Sequence, residues 1–270
     1  MKTLLNKVLR VVHGEYAYRA HKPQRVLFDH LPKCAGTTVT EYLLMHYSRP
    51  HIFRTDGSRP DESVYEFRSL PQSARYRYHL IIGHLANELM DYVHPDTITL
   101  TTFRDPVDRI ISHYFFVKQN KKHYLHKAVV GSNMQLEDYA TSMLSPELRN
   151  WYTTHFTGLS IDDVEQDPEG AVRFAADAIA ERYDIVGFQD TLPSVMRQLR
   201  TSAGLLKPFA NKVQNKTTRR PGFAEVPASV RKTIADINFV DVMLYDLLKE
   251  REGRNTDSTE VRFAELQYAG

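Results

Sequence analysis

One short segment constrains this chain more than any other: Phe28-Asp29-His30-Leu31-Pro32-Lys33-Cys34-Ala35-Gly36-Thr37-Thr38. It follows the apolar run Val26-Leu27-Phe28 and precedes the apolar-periodic stretch Val39–Tyr47, which is the order strand, tight loop, helix. A loop of this kind aims backbone N–H groups and a helix N-terminus at one point and favours a bound phosphate or sulfate. Lys33 adds a full positive charge, and Thr37 and Thr38 add hydroxyl donors. The nucleotide-triphosphatase pattern G-x-x-x-x-G-K-[ST] does not fit. With Gly36 as its second glycine, Leu31 stands at the first position and Thr37 at the lysine position.

A second segment has the same order. Thr97–Phe103 is rich in β-branched residues and predicts a buried strand. In Arg104-Asp105-Pro106-Val107-Asp108-Arg109-Ile110-Ile111-Ser112-His113-Tyr114, Pro106 suits a first helical turn and Asp105 the capping position before it. Arg104 is left at the carboxyl end of a strand, where open α/β sheets bind ligands. Arg109 and Ser112 follow on the helix. Arginine with hydroxyl is suitable equipment for a terminal phosphate.

The pair Pro32-Lys33-x-x-Gly36-Thr37 and Arg104-Asp105-Pro106-x-x-Arg109-x-x-Ser112-x-Tyr114 resembles the carbohydrate sulfotransferases that use 3′-phosphoadenosine 5′-phosphosulfate (PAPS), in particular the heparan sulfate 2-O-sulfotransferase branch and its bacterial relatives. The resemblance implies an α/β, P-loop-kinase-like three-layer fold with a central, mostly parallel sheet flanked by helices. It implies that Lys33, Cys34, Ala35, Gly36, Thr37 and Thr38 hold the 5′-phosphosulfate and that Arg104 and Ser112, with Arg109, hold the 3′-phosphate. Arg109 could equally pair with Asp105 to brace the loop. Ile81-Ile82-Gly83-His84 is similar to the element that carries the family's catalytic base, which makes His84 the candidate base, with His30, His79 and His113 in reserve. Asn150–Gly158 is similar to a helix-and-turn segment that closes on the donor, and Ile185-Val186-Gly187-Phe188 to the last strand. Asn215-Lys216-Thr217-Thr218-Arg219 is similar to a basic loop over the nucleotide, giving Lys216, Thr217 and Arg219 as further donor contacts. Phe188 and Trp151 could neighbour the adenine, but core packing is the commoner fate of such residues. Cys34 and Ala35 depart from the Thr and Gly that many members carry. Both are small, so the loop should still form.

The chemistry follows from the residue types. Lys33 stabilises charge on the departing oxygen, and His84 removes the proton of an attacking alcohol. The expected reaction is in-line transfer of a sulfuryl group from PAPS to a hydroxyl, with a saccharide as the acceptor that fold analogy favours. The alternatives are a P-loop-type ATP-dependent small-molecule kinase and a non-catalytic nucleotide-binding protein. No CxxC, no HExxH and no dense carboxylate cluster is present, so no metal is expected.

The chain of 270 residues divides by pattern into an N-terminal amphipathic arm (1–24), a sulfotransferase-like domain (25–250) and a polar C-terminal tail (251–270). A net charge of +2 implies no nucleic-acid partner, although Lys118–Lys127 and Lys212–Arg220 are basic clusters that could line an acidic-substrate groove. Leu4, Leu5, Val8, Leu9 and Val12 share a helical face. Such a face more often packs on its own domain than on an anionic membrane. One cysteine excludes an intrachain disulfide, and no membrane span or signal peptide is evident, as in a bacterial cytosolic form. The pattern leaves the oligomeric state open. Helices are expected at Met134–Met143, Pro146–Phe156, Pro168–Arg182, Leu192–Leu199 and within Val226–Glu250, a long loop over Asp56–Gln72, and a flexible tail beyond Glu250.

Overall fold

The structure is a computed structural model that describes Tyr18, residues 21–210 and residues 220–267, with side chains to Gly253. The N-terminal arm, Tyr18 and residues 21–24 apart, and Lys216, Thr217 and Arg219 lie outside the described residues. The chain forms two compact units that interleave in sequence: residues 105–181 and the segment from 220 onward make the second, and the rest makes the first.

Five strands build the sheet of the first unit: β1 (Val26–Asp29), β2 (Ile52–Arg54), β3 (Leu80–Gly83), β4 (Ile98–Phe103) and β5 (Ile185–Phe188). All pair in parallel, in the order β2-β3-β1-β4-β5. Parallel sheets survive where both faces are covered, and the alternation of side chains shows that both are. Val26, Phe28, Leu80, Ile82, Leu100 and Ile185 pack on one face against the Gly36–Leu43 and Leu192–Ala203 helices. Leu27 and Ile81 point the other way, onto Val64, Phe67 and Leu89. The result is the three-layer α/β architecture that the sequence predicts. The chain leaves β1 toward the β3 and β2 side, whereas β4 is followed in the sheet by β5 on the opposite side. Ligands of open α/β sheets sit at the carboxyl ends of strands where the winding reverses in this way.

One expectation fails here, and one strand was not foreseen. Asp56–Gln72 is not a long loop: Pro60–Ser69 is helical. Pro60 starts that helix and Asp61 and Glu62 complement its N-terminal dipole. Only Val64 and Phe67 reach the core, so the polar remainder hides the amphipathic pattern. Strand β2 is likewise too short and too flanked by Arg, Pro and His to stand out.

The second unit is helical. Pro106–Gln119 begins as predicted, with Pro106 in the first turn and Asp105 Oδ1 accepting the Asp108 N–H at 2.8 Å. Val107, Ile110, Ile111 and Tyr114 pack with Tyr139, Leu148 and Ile234. The stretch expected as one helix, Pro146–Phe156, is broken at Asn150, whose φ of 43° is left-handed. Asn tolerates that conformation, and its side-chain carbonyl accepts the Val240 N–H at 3.1 Å. Helix Trp151–Thr157 then starts afresh on the buried Asp241 carboxylate, which accepts the Tyr152 and Thr153 N–H groups at 2.9 Å each. Beyond Glu250 the expected tail is instead a continuation of one helix, Phe239–Gln267. Elongating a helix already nucleated and packed costs little per residue, and no proline interrupts it. No helix among the described residues is long and apolar enough to cross a membrane.

Phe67 is fully buried and lies 4.7 Å from the Phe53 ring. Phe67→Ala should lower unfolding stability by about 3–5 kcal/mol. Urea denaturation of the variant checks this; a loss under about 1 kcal/mol would mean that this segment is the loop its composition suggests.

Candidate functional site

The loop after β1 is built from alternating backbone hands. Lys33 and Ala35 adopt left-handed φ values of 67° and 62°, and Ala35 caps the Gly36–Leu43 helix. A non-glycine residue in that region costs roughly 1–2 kcal/mol, and two so close together mark a segment held by its surroundings. The holding is done through the carbonyls. Leu31 O accepts the Cys34 N–H at 3.3 Å and Pro32 O the Cys34 thiol at 3.4 Å. The Arg104 guanidinium reaches Lys33 O at 3.2 Å through Nη1, and the Thr102 hydroxyl donates to Cys34 O at 2.7 Å. Ala35 O takes the Thr38 N–H at 2.9 Å. The N–H groups of Ala35, Gly36 and Thr37 take no protein acceptor among the described residues. This is an anion nest at a helix N-terminus, with Lys33 beside it. Thr37 is exposed and Thr38 partly so.

Arg104, 8% exposed, therefore adjoins the Lys33 turn, as it must if both serve one ligand. The β1–β4 pairing brings this about: Asp29 lies opposite Thr101, so the residues just past each strand meet.

His84 follows β3 in a turn that no ordinary sequence would adopt. Gly83 has φ 146°, and a Cβ built there would stand 2.0 Å from the Thr55 hydroxyl. Leu85 is left-handed at φ 58°. The Thr55 hydroxyl donates to the His84 carbonyl at 3.0 Å. The partly exposed His84 ring places Nδ1 2.6 Å from the His30 carbonyl. A carbonyl can only accept, so Nδ1 carries the hydrogen and Nε2 is the nitrogen left to take up a proton. The His30 and His84 ring centroids lie 4.6 Å apart, with the planes tilted by 31°.

A family model described as the sulfotransferase family matches residues 16–247, most of the chain and all of these elements. The chain belongs to the sulfotransferase family. No curated protein matches it closely.

In this sulfotransferase, the remaining predicted residues divide. Ser112 is buried on the Pro106–Gln119 helix. Arg109, expected at the donor phosphate or paired with Asp105, is not paired with Asp105 in the structure. Its side chain is wholly buried in the second unit, donates to the Glu147 carbonyl at 2.8 Å and packs its guanidinium over the Trp151 and Tyr152 rings at 5.4 and 4.9 Å. Its charge also opposes the rise that burial imposes on the Asp241 carboxyl. Its bond to Glu147 braces the Glu147–Tyr152 turn, while Nε and Nη1 are buried with no hydrogen-bond partner among the described residues. Of the reserve histidines, His113 is enclosed by the Tyr139 hydroxyl at 2.9 Å and Glu147 at 3.4 Å. His79 precedes β3, within hydrogen-bond reach of Tyr18 at 3.2 Å. Phe188 is core, against Phe103. Of the two basic clusters, Lys118 of the first folds onto the Tyr114 hydroxyl at 3.1 Å, and Arg220, the one described residue of the second, pairs with Asp108.

Sequence reasoning missed Thr102, which looks like one more β-branched strand residue until its hydroxyl is seen on the loop. It also missed Arg54, exposed at the end of β2 and close enough to influence His30.

Ala35→Gly should relieve left-handed strain that glycine does not feel. Because glycine also loses more entropy on folding, the expected outcome is a melting temperature at or above the parent's, by up to about 1 kcal/mol of stability. A loss of more than about 1 kcal/mol, read by calorimetry, would show that the Ala35 methyl is needed for packing.

Proposed function

We propose that this sulfotransferase takes its sulfuryl group from PAPS and transfers it to a hydroxyl of a saccharide. The observation that carries the reading is the contact between the Arg104 guanidinium and the Lys33 carbonyl. It brings to one strand edge a nest suited to a phosphosulfate and a cation suited to a second phosphate, as a doubly phosphorylated adenosine requires.

In this reading the N–H groups of Ala35, Gly36 and Thr37 and the hydroxyls of Thr37 and Thr38 hold the 5′-phosphosulfate. Arg104 takes the 3′-phosphate, and Ser112, Arg109, Lys216, Thr217 and Arg219 are retained as donor contacts on the strength of the motif alone. The acceptor oxygen forms a bond to sulfur while the bond from sulfur to the 5′-phosphate oxygen breaks. The acceptor's proton passes to Nε2 of His84, and Lys33 stabilises the charge left on the departing phosphate, so that adenosine 3′,5′-bisphosphate leaves. What supports His84 in this role is its fixed tautomer. Positioning two oxygens in line and stabilising the departing one is the whole catalytic demand, as in phosphoryl transfer. The lone buried Cys34 supports a reducing, cytoplasmic setting.

Two measurements test the reading. Transfer of labelled sulfate from PAPS to a panel of sugars should drop about 10²–10³-fold in Lys33→Ala with folding retained, whereas Arg104→Ala should raise the KM for PAPS by about 10–100-fold. Parent-like transfer by both variants would refute the assigned roles. In a thermal shift assay, adenosine 3′,5′-bisphosphate at about 100 times its Kd should add about 2.7 kcal/mol, well beyond ATP at equal concentration. Preference for ATP would overturn the donor assignment.

A further inference from the structure

His30, the residue just past β1, has no task in the reaction above, yet it touches both the His84 turn and the cradle helix. Its N–H donates to Gly83 O at 3.0 Å and its carbonyl accepts Nδ1 of His84 at 2.6 Å. One side of its ring lies near-parallel to Phe28, 5.6 Å away at 11°, and the His84 ring lies 4.6 Å away. Its edge presses on Gly36, the first residue of the cradle helix: a Cβ built there would fall 1.8 Å from the imidazole Cδ2 and Nε2. Gly36 has no positive φ, so this close approach, and not backbone freedom, is what requires glycine.

We propose that His30 is a positioning residue whose imidazole is the spacer that sets the distance between the cradle and the proton-accepting nitrogen of His84. The proposal rests on His84 as the base. In-line displacement fixes the separation of attacking and departing oxygens, so the base and the leaving-group cradle must stand a set distance apart. One imidazole wedged between Gly36 and His84 sets it. His30 is unsuited to be the base itself, because its Nε2 edge faces the helix backbone at Gly36. The charged groups that face it, His84, Lys33 and Arg54, are all cationic or able to become so. Together with burial, the larger cause, they push its pKa down to about 3. The spacer thus stays neutral across the working pH range and does not repel Lys33.

The test combines nitrogen-15 histidine NMR of the full chain with kinetics in PAPS, using His30→Ala, His30→Gln and Gly36→Ala. In the parent, His84 should show the Nδ1–H tautomer and His30 should stay neutral down to pH 5. In His30→Ala the backbone carbonyl remains but the wall is gone. His84 should then populate both tautomers, and kcat should fall about 10–100-fold at a KM for PAPS within a few-fold of the parent's. Gly36→Ala, which pushes the ring aside, should do the same. His30→Gln should leave the shape of the pH–rate profile as it is in the parent. The proposal is overturned if the His84 signals are unchanged in His30→Ala, if kcat falls only by the fraction unfolded, or if His30→Gln changes the shape of the pH–rate profile. A parent that transfers no sulfate from PAPS would instead fail the functional reading, and the tautomer measurement would still decide the role of His30.

Discussion

The site depends on how the end of one strand satisfies the loop that follows its neighbour. When a backbone turns successive N–H groups to one side, its carbonyls must find donors on the other, or the buried oxygens cost about 1–3 kcal/mol each. Thr102 and Arg104, alternate residues at the end of β4, supply two of those donors, to Cys34 and Lys33. Their spacing of two puts both on one side of the strand. The left-handed residues Lys33 and Ala35 are therefore fastened from behind before any ligand arrives. Preorganised donors of this kind need no reorganisation at the moment of reaction, which is where much of their catalytic value lies.

Where backbone demands are strict, the chain announces them. The strand–loop–helix at Val26–Tyr47 and the Asp105–Pro106 cap were legible because few residues suit a capping position or a helix's first turn. Gly83 was visible as a motif residue, although its reason, the Thr55 hydroxyl 2.0 Å from a would-be Cβ, involves a partner distant in sequence. Burial was the part that remained hidden. Arg109 carries the same charge as Arg104 and sits in the same motif, but Glu147, Trp151 and Tyr152 enclose it, and nothing local distinguishes the two. The Pro60–Ser69 helix was hidden for the opposite reason: only Val64 and Phe67 anchor it, and two apolar residues do not make a period.

The histidines show how environment divides one residue type into several parts. The chain has 12. His46, buried with neither ring nitrogen hydrogen-bonded, has its pKa pushed down to about 4 by burial first and Lys207 second. His113 is enclosed by a phenol and a carboxylate. Among the described histidines, His84 alone combines a hydrogen-bonded Nδ1, a turn fixed by Gly83 and Leu85, and a partly exposed ring beside the cradle.

The two interleaved units also set an order of assembly. Strand β4 ends at Phe103, but its outer neighbour β5 begins only at Ile185, after the chain has passed through the second unit. During synthesis the outer edge of β4 thus stays without its native partner while residues 105–181 of the helical unit are made. An unpaired parallel edge is an invitation to wrong pairing. Thr99, near the start of that open rim, is later closed by Asp184, which accepts both its N–H and its hydroxyl at 2.8 and 2.9 Å. The last strand to be translated is thereby also the latch that seals the nascent sheet.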